Sequence, residues 1–423
     1  MSPAPESDAQ ASSKTDLSFI TGRDGPAPDP IALRAYRLTR LRAELRARDH
    51  AGLVVYDPIN IRYATGATNM QVWALHNAVR YAFVSTDGPV VVFDFHGGLH
   101  LSNGIEIIDE VRPALSWFYF IAGEHGPARA TLWAQEIAEL LRAHGGGNRR
   151  LAIDKCDPLG ADALRREGIE IFDGQEVCEQ ARLIKSPDEL IAMRRALAVA
   201  EEGMAKMRAV LSPGMTENEL WSHLHQINIA RGGEWIETRL LASGRRTNPW
   251  FQECSDKPIA AGELVSFDTD LIGPDGLCAD ISRSFLCGEV AATVEQKRLY
   301  GLAREQIETN IALLRPGLRF SELAERSWRL PESCKPNRYS VIAHGVGLCD
   351  EYPHCGYVED NDRGGGYDGV FSPGMTICIE SYIGEEGGAE GVKLEEQLLI
   401  TESGIERLSR FPYEETLMPS RWL

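Results

Sequence analysis

Six side chains in the later part of the chain have the types and order of a metal site. They are Asp268 and Asp270 in VSFDTDLIGPDG, Asp280 in CADISRSF, His344 in IAHGVGLCDEYPH, Glu380 in GMTICIESYIG and Glu395 in GVKLEEQLLI. Carboxylates with one imidazole suit hard or borderline divalent cations, and a bridging carboxylate can hold two of them side by side. The expected cofactor is therefore a divalent metal pair. Iron, manganese, cobalt and zinc all tolerate such ligands, and affinity order does not choose among them. Any one of these acids alone reads as a surface carboxylate, and the histidine alone as a core residue. The joint pattern makes the site.

Each of the six lies in or beside a run that reads as a strand, so a sheet is expected to bring them to one point. Upstream, residues 31–50 read as an amphipathic helix. AGLVVYD, YAFVSTDGPVVVFDF, GIEIIDEV, RRLAIDK and EIFDG read as strands, with the helical stretch ARATLWAQEIAELLRAH among them. Alternating strands and helices predict an α/β domain over residues 31–180. At ARLIKSPDELIAMRRA a long helix begins, with Pro187, Asp188 and Glu189 where proline and acids are favoured. A catalytic domain is expected over residues 181–423. Within it PGMTENELWSHL and PGLRFSELAERSW are similar, which suggests two related halves. The aspartates fall in the first half, and His344, Glu380 and Glu395 in the second.

A formal charge of −18 argues against nucleic-acid and anionic-membrane partners, which need a basic face. No apolar run is long enough to span a bilayer. Residues 1–30, rich in Ser, Ala, Pro and Asp, read as a disordered tail rather than a secretory signal. Nine cysteines at irregular spacings suit reduced thiols, and a cytoplasmic location is expected.

RLIKSPDELIAMRRA, the aspartates with DISRSF, HGVGL, PGMTICIE and VKLEEQLLIT together resemble the pita-bread family of metallopeptidases and creatinases. The resemblance implies an α+β fold, with a C-terminal pita-bread domain preceded by a smaller creatinase-N-terminal-like α/β domain. Three departures stand out. Where the peptidases usually place their first aspartate this chain has Thr269, with Asp268 and Asp270 on either side. In NPWFQE, Trp250 takes the place of a peptidase histidine. Glu351 takes the place of a second one, and Asp350 precedes it. The helper histidines of amide hydrolysis are absent while the ligand set stays.

FDTDLIGP, DISRS and HGVGLCDEYPH look very like the iron-dependent dimethylsulfoniopropionate lyase branch of this family. That resemblance implies a homodimer, all six residues on metal, and cleavage of a small sulfonium zwitterion to dimethyl sulfide and acrylate. Eliminating dimethyl sulfide requires loss of the proton next to the carboxylate, which a Lewis acid on that carboxylate assists. Asp350 is the expected base, with Glu351 as its competitor, and Tyr339 is expected to position the substrate or assist proton transfer. The sulfonium is best held by aromatic faces. Trp250 with Phe251 are the first candidates, and Trp73 and Trp117 in the N-terminal domain are secondary ones. Which of Asp268 and Asp270 bridges the metals stays open.

His354 reads as structural or solvated, the GGG run at 364–366 as a loop, and Cys349, Cys355 and Cys378 as buried thiols rather than ligands. The alternative function is a prolidase- or aminopeptidase-like metallohydrolase, since a water held by two metals can attack an amide. A metal-free creatinase-type hydrolase or a non-catalytic binding protein would have no reason to keep the ligand set.

Overall fold

The computed structural model describes residues 26–361 and 366–420. Most of the tail expected over residues 1–30, and Gly364 and Gly365 of the glycine run, lie outside the described residues.

The first helix, Pro30–Ala47, starts at Asp29, whose carboxylate accepts from the Ile31 and Ala32 amides. It packs against a mixed sheet of β1 (Gly52–Val55), β2 (Tyr81–Ser85), β3 (Val90–Asp94), β4 (Glu110–Pro113), β5 (Arg150–Ile153) and β6 (Glu170–Asp173), in the order β4-β3-β2-β1-β5-β6. Strands β1, β2 and β3 are buried on both faces, which is why they read as unbroken apolar runs. The helix Gly126–His144 covers one face through Trp133, Ala134, Ile137 and Leu141. GIEIIDEV contributes only its end to β4, because Ile105–Asp109 turns before reaching the sheet.

Two buried links join this layer to the rest. The helix Pro187–Val210 opens with a capping box between Ser186 and Glu189, and Glu189 also accepts from Arg37 Nε at 2.8 Å. An apolar cluster continues from Leu41, Leu45 and Val55 through Val177 to Met193, Met204 and Phe267.

The remainder forms β7 (Leu241–Ser243), β8 (Leu264–Asp268), β9 (Leu271–Ile272), β10 (Cys278–Ala279), β11 (Ser282–Leu286), β12 (Ala343–Val346), β13 (Asp350–Cys355), β14 (Thr376–Ile383), β15 (Val392–Ile400) and β16 (Ile405–Arg407). They build a β11-β8-β7 sheet, a β10-β9 hairpin and a five-stranded β13-β12-β14-β15-β16 sheet. The similar Pro-Gly segments both fold as a turn with Gly214 or Gly317 at positive φ, leading into the helices Glu217–Ala230 and Phe320–Arg326. The fold class is α+β, as the sequence predicts.

Candidate metal centre and the cavity above it

Strand register accounts for the convergence. In the β14–β15 ladder Glu380 stands directly opposite Glu395, and in the β8–β11 ladder Asp268 stands opposite Ser282. The two sheets meet where Ser282 Oγ donates to Asp268 Oδ1 at 2.7 Å and to Glu395 Oε2 at 2.9 Å. Asp270, with a φ of 36°, leaves the end of β8 and accepts from Thr238 Oγ1 at 2.6 Å. Asp280, between β10 and β11, is fixed by its backbone amide donating to Gln397. His344 on β12 donates from Nδ1 to the Gly345 carbonyl, leaving Nε2 3.4 Å from Glu380, 3.6 Å from Asp280 and 3.6 Å from Glu395. The structure thus brings all six sequence-selected residues together, each buried.

Two carboxylates directly opposed across antiparallel strands repel unless something cationic lies between them. Part of that charge is Lys393, which the sequence reading missed. It sits two residues before Glu395, so strand alternation puts it on the same face. Its ammonium, fully buried, donates to Glu380 and Ser282 at 2.6 Å each and lies 3.0 Å from Asp268 and 3.4 Å from Glu395.

One lysine does not balance the cluster. Burial holds the Asp268, Asp280 and Glu380 carboxyls above their usual range, and pushes Asp270 up to about 7. Burial would raise Glu395 too, but Lys393 and His344 hold it well below the carboxylate range. For His344 burial works downward, and Asp350, Glu380 and Glu395 overcome it and hold the imidazole well above its ordinary value. Asp280 Oδ1 and Glu395 Oε1 are buried with no hydrogen-bond partner. Such orphaned acceptors each cost about 1–3 kcal/mol, a cost that a cation would remove. Donor atoms from Asp268, Asp270 and Asp280, from Asp268, Glu380 and Glu395, and from Asp280, His344 and Glu395 form groups within 4.8 Å. Cys378 joins the last group, and burial pushes its thiol up. The donor set fits a divalent pair, whose binding would release the protons these carboxyls hold.

Above the centre lies an open cavity of about 430 Å³, lined by Glu179, Tyr339, His344, Asp350, Tyr352 and Tyr367 among others. In β13 burial alternates, with Asp350, Tyr352 and His354 outward and Glu351, Pro353 and Cys355 inward. Asp350 keeps 59% of its side chain exposed and stands 3.6 Å from His344 Nδ1. Glu351 points the other way. It is held by Arg182 and Lys185 at 3.0 Å each and by the Leu348 amide at 2.9 Å. Burial would raise its carboxyl, but Lys185 and Arg182 keep it below the usual range. Arg182 also donates to Asn60 and Glu179, and Glu179 accepts from the Tyr352 amide at 2.9 Å. An ion cluster from the domain junction therefore fixes the strand that carries Asp350.

The aromatics fall differently from expectation. Trp250 is 5% exposed and packs on Tyr382, so it does not offer the face expected of it. Trp117 lies in the N-terminal core, donating to Asp157 at 2.8 Å, and lines a separate cavity with Tyr56 and Leu75. Trp73 is 41% exposed on the short helix Gln71–His76 and is not among the residues lining the cavity. Tyr339 does line the cavity. Its ring stacks on the exposed Phe251 at 5.3 Å and covers the Lys393 ammonium at 4.5 Å.

The model of metallopeptidase family M24 matches residues 191–402, and that of the creatinase/prolidase N-terminal domain matches residues 37–184. The chain is 44% identical to dimethylsulfoniopropionate lyase DddP of Roseovarius nubinhibens, over 92% of this chain and 89% of that protein. It is 26% identical to the Xaa-Pro dipeptidase of Pyrococcus furiosus, over 79% of this chain and 94% of the relative. Among solved structures, an Xaa-Pro dipeptidase from Bacillus anthracis superposes with a TM-score of 0.72 at 19% identity, covering 90% of this chain and 99% of that one.

Proposed function

The chain belongs to metallopeptidase family M24, and on that premise we propose that it is a metal-dependent carbon–sulfur lyase that cleaves dimethylsulfoniopropionate to dimethyl sulfide and acrylate. The observation that carries this reading is the outward turn of Asp350 over the candidate metal centre. Its neighbour Glu351, at the place of a peptidase histidine, is locked inward in an ion cluster. The likeness to a named lyase over nearly the whole chain supports it.

Asp268, Asp270, Asp280, His344, Glu380 and Glu395 would hold the metal pair, with iron the first candidate. When bound, the pair supplies Lewis acidity to the substrate carboxylate. Asp350 takes the proton from the carbon beside that carboxylate. The freed C–H electron pair becomes the new double bond, and the carbon–sulfur bond breaks. Sulfur leaves with its electrons as neutral dimethyl sulfide. Asp350 then returns its proton to water through the open side of the cavity. Tyr339, half-buried and held by Phe251, bounds the substrate on the lysine side.

A homodimer belongs to this reading. Met70, Val72, Trp73 and Leu75 form an exposed apolar row, and Tyr119 and Phe120 are each 80% exposed. Single-particle mass in solution tests it. The cytoplasm is the expected compartment, given free cysteines at all nine positions.

Headspace gas chromatography of the metal-replete enzyme with dimethylsulfoniopropionate tests the reaction. Chelator-sensitive release that is lost in Asp350→Ala and His344→Ala establishes it, and no release sinks it. An Xaa-Pro dipeptidase is the second reading, because the same ligand set serves a metal-bound water. Proline dipeptides as substrates separate the two.

A further inference from the structure

The aromatic residues singled out in the sequence do not wall the cavity, apart from Tyr339. Two tyrosines that nothing above assigns a role do so: Tyr352 and Tyr367. Tyr352 lies two residues beyond Asp350 on the same outward face of β13. Tyr367 stacks on it with ring centroids 5.1 Å apart and planes 13° from parallel. Phe320 meets both rings edge-on, at 5.9 and 6.4 Å, and backs the pair from the core side. The Tyr367 hydroxyl accepts from the His354 amide at 2.5 Å, and the Tyr352 amide is held by Glu179. The stack is therefore fixed at several points, yet Tyr367 remains 47% exposed.

A rigid aromatic wall beside a carboxylate has a definite preference. Ring faces attract cations, most strongly soft, weakly hydrated ones such as sulfonium and quaternary ammonium groups. Glu179 and Glu351 are neutralised by Arg182 and Lys185, and Asp368, next to Tyr367, by Arg319, so these acids add no free charge. Asp350, exposed and without a lysine or arginine partner among the ion pairs of the described residues, is paired with His344 at 3.6 Å. A bound metal would keep that imidazole neutral, so with the centre loaded Asp350 leaves the cavity mouth negative. At the floor, the candidate metal centre would take the opposite, carboxylate end of a zwitterion.

We infer that the Tyr352–Tyr367 stack is the subsite for the onium end of the substrate, and that these two residues set the enzyme's preference for a cationic over a neutral head group. The inference rests on the small-zwitterion reading above and deepens it. Its chemistry makes no distinction between sulfonium and quaternary ammonium, so both should bind.

Two carboxylates of the same shape, neither with a sulfonium leaving group, test it: 3-(trimethylammonio)propionate, which is cationic at its head and whose trimethylamine release is monitored, and 4,4-dimethylpentanoate, which is neutral there. Affinities read by isothermal titration calorimetry need no turnover. The metal-loaded enzyme should prefer the cationic compound, and Tyr367→Leu should shrink that preference about tenfold while Tyr367→Phe preserves it. Equal loss for both compounds in Tyr367→Leu, or an unchanged preference, overturns the subsite. So does wild-type enzyme that binds the two alike. Tyr352→Leu should act in the same direction, with thermal melting as the check on folding. Dimethyl sulfide release without a charge preference leaves the lyase standing and removes this inference. A charge preference without any release does the reverse.

Discussion

The floor and the wall of the site are built by different rules. At the floor, Asp268, Asp280, His344, Glu380 and Glu395 sit on or between ladder strands and are at most 7% exposed. Ser282 and Lys393 tie Asp268, Glu380 and Glu395 together, and His344 meets Asp280, Glu380 and Glu395. At the wall, Asp350, Tyr352 and Tyr367 stand on an outer strand and the loop after it, half-buried or exposed, and are held from behind by Arg182, Glu179 and Phe320. A paired β-ladder fixes a group of charges in one geometry; an outer strand anchored by side chains can change its outward face without disturbing that geometry. On the proposed reading, the change from peptide hydrolysis to elimination would be made at the wall, above a retained ligand cage.

That contrast can be broken. Removing the floor should have the largest effect: His344→Ala, or chelation, should abolish dimethyl sulfide release together with bound metal, read by elemental analysis. At the wall, Asp350→Asn should lower kcat by about 10²–10⁴-fold with metal content unchanged. If metal is lost with it, floor and wall are one unit and the comparison fails.

Behind the wall, Glu351→Gln should lower kcat by roughly 10-fold through misplacement of Asp350, with KM little changed. The KM-against-kcat split checks this. The smallest effect on the loaded enzyme should come from Lys393→Met. Leaving buried carboxylates without their cation should destabilise the metal-free protein by about 3–5 kcal/mol in urea unfolding. Added divalent metal should restore most of that loss.

Period-two alternation is legible in the sequence. It puts Lys393 beside Glu395, and Asp350 and Tyr352 opposite Glu351, so strand alternation alone narrows the competition between Asp350 and Glu351. The Lys393 signal was present and unread, because a lysine among acids first reads as a solvated charge. Trp250 misled for a physical reason. A tryptophan at a site's edge can turn toward either the ligand or the core, and Tyr382 decides that from more than a hundred positions away. Tyr367 gave no local signal at all, since it reaches the cavity only by stacking on Tyr352.

By itself, then, the sequence made legible a candidate ligand set and which side chains share a strand face, because these follow from residue chemistry and a short backbone repeat, while its motifs implied the α+β class by resemblance. Only the tertiary structure decided which strands became neighbours, which acid was locked inward by Arg182 and Lys185, and which rings face the cavity. Those outcomes depend on contacts between segments far apart in the chain, and no local spacing encodes them.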